Sequence, residues 1–312
     1  MSSFQIAFSV VAPLMIYMVI GYLIRRAGIC SVPNFKALNQ VLFRVFIPLS
    51  LFFNVYRAEL SDVLQPRLVL LIETLLILTV IITWHLFKRF VSDGKDLAVI
   101  VQGIARSNYV LFGSLVAAEL CDERGVALVA ALCAFVVPTV NIEGVVLFEL
   151  IRGGDIKPAD LLLRIFKNPL VLAGLLGVLF NVLHIPMANV ISSPLTKLGN
   201  AATPVAMVTL GAILNFGSIQ KHIGYIMAAV CGKLVIVPII AVLAGILLGY
   251  RGNELVAILA VFGSPTAVAS APMAQAMGGN GELAGEIVAA TSVICLGTLF
   301  VLVMALAQMH FI

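Results

Sequence analysis

Leu97–Glu119 reads LAVIVQGIARSNYVLFGSLVAAE, apolar enough to cross a bilayer yet holding Arg106, Ser107 and Asn108 near its middle. A hydrocarbon core is about 30 Å thick, and about 20 residues of helix span it. At that depth an interrupted helix leaves N–H and C=O groups that lipid cannot satisfy, so the break must be buried in protein or border a cavity. A guanidinium there has the same requirement. The stretch predicts a polar cavity at mid-membrane, and such a cavity points to transport.

The whole composition agrees with a membrane location. Of 312 residues 62% are hydrophobic and 11% charged, against roughly 45–50% and 25% in soluble domains. The mean hydropathy is +1.13. The apolar runs are continuous and do not alternate with period two, which selects helical spans over a barrel. The net charge of +4 is spread through short loops, so no nucleic-acid partner is expected. Cys30, Cys121, Cys133, Cys231 and Cys295 show no CxxC spacing, and the four His fall near span ends. With no metal-ligand cluster and no nucleophile–base arrangement, the expectation is neither an enzyme nor a cofactor-binding or metal protein.

Ten spans are expected, at 6–24, 38–56, 68–87, 97–119, 125–150, 168–183, 190–214, 223–249, 254–276 and 283–308. Phe4–Ile24 lacks a basic n-region and a small-residue cleavage site, so it reads as a retained first span. The stretch from Ile151 to Lys167 is either a linker or a short interfacial helix. With the N-terminus outside, eleven Lys and Arg fall in cytoplasmic loops and five in outer loops. Positive residues favour the cytoplasmic side, so both termini are placed outside a cell (inner or plasma) membrane.

One offset recurs. Pro13 and Pro169, Gly21 and Gly177, Pro48 and Pro204, and Gly125 and Gly281 are each 156 residues apart. Two repeats of five spans follow, 1–156 and 157–312, and an odd span number makes them inverted. The offset carries Asn108 to Ser264 and Tyr109 to Pro265, inside the GSPTAVAS stretch Gly263–Ser270. Both halves are then interrupted at matching places, the best sequence pointer to a transporter's binding site.

These residues resemble the auxin efflux carrier family, the group that includes plant auxin exporters and bacterial malate or malonate permeases. Asn108 and Gly113 fit its Asn-x4-Gly-x-Pro pattern, with Leu115 in place of the proline. KNPLVLAGLLG at 167–177, LGNAATPVAMVTLGAIL at 198–214 and SPTAVASAPMAQAMGGN at 264–280 extend the likeness along the chain. The resemblance implies an all-α membrane protein of ten helices with broken crossing helices 4 and 9. It also implies a scaffold and a transport sub-bundle, small carboxylate cargo and a homodimer.

The candidate substrate site is Arg106, Ser107, Asn108 and Tyr109 with Gly263, Ser264, Pro265 and Thr266. Helices restarting after Asn108 and after Pro265 would direct their positive ends at a carboxylate. Ser264 and Asn108 suit the capping position, and Pro265 suits a first turn. Arg106 would grip an anion bidentately, or pair with Glu143. Glu143 and Glu73 are candidate proton carriers. Lys233 is expected to snorkel, Asn54 to be solvated at a span end, and Pro48 and Pro204 to kink spans 2 and 7. The alternatives are a sodium-coupled carrier of the bile-acid type, which needs clustered oxygen ligands and for which Asn108, Ser264, Thr266 and Ser270 are too few to make a sodium site, and a membrane sensor that binds without transporting.

Overall fold

Apolar runs punctuated by caps and first-turn prolines set the helix boundaries. The computed structural model describes residues 3–58, 65–151, 163, 165–214 and 216–312. Among these the chain is helical with no strand, and one isolated antiparallel bridge joins Ser107 to Thr266. In order the helices are α1 Ser3–Arg26, α2 Val32–Tyr56, α3 Pro66–Phe87, α4 Gly94–Ala105, α5 Tyr109–Leu120 and α6 Glu123–Ile151. Then come α7 Pro169–Val182, α8 Asn189–Asn200, α9 Ala202–Ile213, α10 Ile219–Leu247, α11 Gly252–Gly263, α12 Ser270–Met277 and α13 Gly281–Gln308.

Local chemistry explains several ends. Asp93, Asn168 and Asn280 accept the N–H groups of Lys95, Leu170 and Leu283, at 2.8, 2.9 and 3.1 Å, and so cap α4, α7 and α13. Pro66 and Pro169 stand in first turns, where a missing N–H costs nothing. Pro48 follows the π-helical turn Leu42–Phe46 of α2, and Pro204 lies in the first turn of α9, just after the break at Ala201. The two prolines therefore sit next to irregularities of the helices, Pro204 at the start of a separate helix and not at a kink within one.

Among the described residues four helices are long and apolar enough to cross a membrane: α2, α3, α6 and α10. The bent pair Gly281–Cys295 and Gly297–Gln308, at 41°, would make a fifth. Three of the expected spans, 97–119, 190–214 and 254–276, are each divided into two helices. The stretch from Ile151 to Lys167, expected to be a linker or an interfacial helix, falls largely outside the described residues.

Packing puts α4 and α11 at the centre. Every residue from Leu97 to Ala105, and every one from Leu255 to Gly263, is buried. By contrast α3 exposes Leu70, Ile77, Leu78, Ile81 and Ile82, the apolar surface a lipid-facing helix requires. At the periphery α1 runs along α9, and the second half of α2 runs along α7. Both helices, enclosed over these stretches, end at the interruption.

Candidate functional site

Helix α4 stops at Ala105, Arg106 is extended (φ −79°, ψ 111°), and α5 begins at Tyr109. Helix α11 stops at Gly263 and Ser264 is extended, but α12 begins only at Ser270. The expectation of a restart after Pro265 is corrected: Ser264 ends the preceding helix, its hydroxyl donating to Ala260 O at 2.5 Å, and Pro265 lies in no first turn. Three residues separate the first pair of helices and six the second.

The two extended segments pair antiparallel. Asn108 N–H donates to Pro265 O at 2.8 Å, and Ala267 N–H donates to Arg106 O at 3.2 Å. These bonds satisfy backbone groups that lipid could not. Adding 159 to 106 and 108 gives 265 and 267, so each bond is the counterpart of the other. The partner of Asn108 across the repeat is thus Ala267, three residues beyond the expected Ser264, because the second half carries extra residues before and through its break.

A cavity of about 540 Å³ lies against this crossing. Arg106 to Leu111 border it on one side and Ala267 to Ala269 on the other. Gly263, Ser264, Pro265 and Thr266 are not among its lining residues. Thr266 instead pins the crossing, its hydroxyl donating to Gly103 O at 2.6 Å and its N–H to Thr291 Oγ1 at 3.2 Å. The cavity-lining part of the second break is one turn later than the expected site residues.

Arg106 is 4% exposed. Its Nη2 donates to Asn141 Oδ1 at 2.7 Å, and its Nη1 donates to Met273 Sδ at 2.7 Å. The partner considered from the sequence, Glu143, does not bond it. A guanidinium has five N–H donors, and neither of these two acceptors is charged, so among the described residues no hydrogen-bonded carboxylate compensates the positive charge at the cavity wall. Ser107 Oγ and Asn108 Nδ2 are buried without a hydrogen-bond partner among the described residues. Asn108 occupies the N-cap position of α5 but makes no side-chain cap bond. The Tyr109 hydroxyl donates to Val129 O, and its ring fills the space where a Cβ on Gly113 would come within 2.6 Å. That contact is the reason for glycine at Gly113.

Glu73 and Glu143 do not line the cavity. They lie on α3 and α6, which pack together. Thr139 Oγ1 donates to Glu73 Oε2 at 2.6 Å, whereas both Glu143 oxygens are buried without a partner among the described residues. Lys233 corrects the snorkelling expectation: it is fully buried in the π turn Gly232–Ile236 of α10, with no bond to Nζ among the described residues.

Sequence reasoning missed the remaining wall. Leu14 and Tyr17 of α1, Ser50 and Asn54 of α2, and Asn200, Thr203 and Pro204 around the α8–α9 break all line the cavity. Asn54 and Pro204 thus do more than meet solvent or shape a helix. The available signal was the polar run Gly199–Thr203 within the span expected at 190–214.

A family model described as "Membrane transport protein" matches residues 6–160 and again 156–303. A protein of Methanothermobacter thermautotrophicus described as an uncharacterized transporter is 26% identical over 268 residues, covering 85% of this chain and 86% of that protein.

Proposed function

The chain belongs to the membrane transport protein family, and from that premise we propose that it is a secondary transporter moving a small organic anion, a mono- or dicarboxylate, by alternating access. The observation that carries the cargo class is Arg106: among the described residues it is the only charged side chain lining the cavity, and it is buried with neutral partners. The first turn of α5, at Tyr109 to Leu111, adds N–H groups and a positive dipole end beside it. Both features favour a carboxylate, and a cavity of this size accommodates a small organic molecule.

The reading includes ten spans in two inverted repeats. Three counterpart relations support it: the exchanged hydrogen bonds of the crossing, the packing of α1 on α9 against that of α2 on α7, and two capping residues 158 apart, Asp122 and Asn280. Both termini lie outside in this arrangement, and Glu143 with Glu73 carries the coupled proton.

Uptake by purified protein in liposomes tests the proposal, with radiolabelled malonate and benzoate as the two anion probes. The wild type is expected to take up at least one of them. Arg106→Gln is expected to weaken uptake affinity by about tenfold to a hundredfold, since hydrogen bonds to charged groups contribute about 1.5–3 kcal/mol. Unchanged affinity in a correctly inserted Arg106→Gln protein would remove the binding role.

A further inference from the structure

The cavity and the best-fastened part of the crossing lie at opposite ends of one helix. On α2 the cavity is bordered by Ile47, Ser50, Leu51 and Asn54. Asn39 lies eight residues before Ile47 and fifteen before Asn54 on the same helix, about 12 to 22 Å along the axis at 1.5 Å per residue. There Asn39 is 5% exposed, and its Nδ2 donates to Gln275 Oε1 at 2.5 Å. Gln275 Nε2 in turn donates to Lys36 O at 3.2 Å. Gln275 belongs to α12, which leaves the crossing, so two amide contacts strap that arm to the N-terminal end of α2.

The other arm is not strapped in the same way. Helix α5 leaves the crossing beside the cavity and packs on α6 and α11. Its relation to α8 corresponds to that of α12 to the start of α2, yet among the described residues α5 and α8 do not pack closely together. One arm is fastened to the helix that faces it across the repeat and its counterpart, α5, is not fastened to α8, and the cavity lies beside α5. An inverted pair of repeats in this condition gives access from one face and closure at the other.

We infer that the Asn39–Gln275 pair is the gate that closes the cavity from the face bearing Lys36, and that it must part for the cavity to open there. The inference rests on the transport reading above. A neutral amide pair suits a contact made and broken in each cycle, since it holds geometry without burying opposite charges. Asn39 Oδ1 is buried without a partner among the described residues, so the closed pair leaves one acceptor unsatisfied.

The test uses the full chain with its five cysteines replaced, Thr203→Cys as a reporter in the cavity, and a membrane-impermeant maleimide applied to right-side-out and inside-out vesicles. Asn39→Ala and Gln275→Ala are each expected to raise labelling from the Lys36 face at least fivefold. The double swap Asn39→Gln with Gln275→Asn, which retains an amide pair, is expected to label like the parent. Separately, an Asn39→Cys, Gln275→Cys protein joined by a short reducible cross-linker is expected to bind anion from the Asn54 face but not exchange it across the membrane until reduced. Unchanged labelling from the Lys36 face in both alanine variants overturns the gate, as does full exchange by the cross-linked protein. A parent that exchanges no anion would remove the transport reading, while the labelling arm still decides the gate.

Discussion

Gly21 of α1 lies so close to Val208 of α9 that a Cβ on it would overlap the Val208 carbonyl oxygen. Gly177 of α7 stands against the carbonyl of Phe52 in α2 in the same way, with its Cβ position 2.9 Å from that oxygen. Both members of the first contact are 156 residues from their counterparts in the second. Small residues let helix backbones approach in a membrane, where packing rather than hydrophobic transfer drives association.

Gly21→Ala is therefore expected to lower the midpoint of thermal unfolding in detergent, at a cost of about 1–3 kcal/mol or more for forcing apart packed backbones. Gly177→Ala should have the smaller effect because its contact is looser. Gly224, whose Cβ position meets nothing within 4 Å, is the control: Gly224→Ala is expected to leave the midpoint unchanged or raise it, as alanine is the better helix former.

The contact between Arg106 and Asn141 separates charge from structure. Asn141 Oδ1 accepts from the guanidinium and Asn141 Nδ2 donates to Val137 O at 2.7 Å, so the side chain is fixed in orientation. Asn141→Asp places a carboxylate where the amide oxygen is, preserves the shape and neutralises the cavity wall. Anion affinity is expected to fall at least tenfold, while the lost Asn141 Nδ2 bond to Val137 O costs about 0.5–1.5 kcal/mol of stability. Equal affinity in wild type and Asn141→Asp, read by titration calorimetry, would show that Arg106 is not the anion's partner.

The break at Arg106–Asn108 was legible because charge and amide groups are conspicuous in an apolar run. The second break was legible only in outline. Ser264-Pro265-Thr266 carries the recognisable residues, but the cavity is bordered by Ala267, Val268 and Ala269, whose small apolar side chains give no sign of being unwound. Ala267 is held there by its bond to the Arg106 carbonyl, a contact between segments about 160 residues apart. Tyr17, Asn54 and Thr203 likewise acquire a role only when three separate helices converge. Repeat matching, by contrast, needs no tertiary contact, and so an offset near 156 could be read directly, although not the insertions that carry it to 159 at the crossing.

Asp122 supports a prediction about acid stability. Its Oδ1 accepts the Gly125 N–H at 2.9 Å and the Asn253 Nδ2 at 2.7 Å, tying the start of α6 to the start of α11. The backbone N–H of Gly125 and then the Asn253 amide hold its carboxyl below the ordinary aspartate value. A depressed value means that the stabilising contribution is present above the ordinary aspartate value of about 3.9 and is lost as pH falls through the lower folded value. Between pH 5 and pH 2 the wild-type unfolding midpoint should thus fall more steeply than that of Asp122→Asn. Parallel curves from differential scanning fluorimetry would remove Asp122 as a contributor.

The proposed proton carrier gives the most discriminating functional experiment. Glu143 has no hydrogen-bond partner for either oxygen among the described residues, whereas Glu73 receives the Thr139 hydroxyl. An uncompensated carboxylate is costly to bury as an anion, and a bound proton removes that cost without requiring a fixed partner. In Glu143→Gln the charge is absent at every pH, so anion movement can no longer be tied to proton movement there. The expected result in liposomes is anion exchange at equal pH on both sides comparable to the wild type, together with loss of the extra flux produced by an imposed pH gradient. Glu73→Gln should retain more of that extra flux, because the Thr139 bond already stabilises the Glu73 carboxylate. A wild-type response to the gradient in Glu143→Gln would transfer the role to another group, and the same response in both variants would detach coupling from the α3–α6 interface altogether.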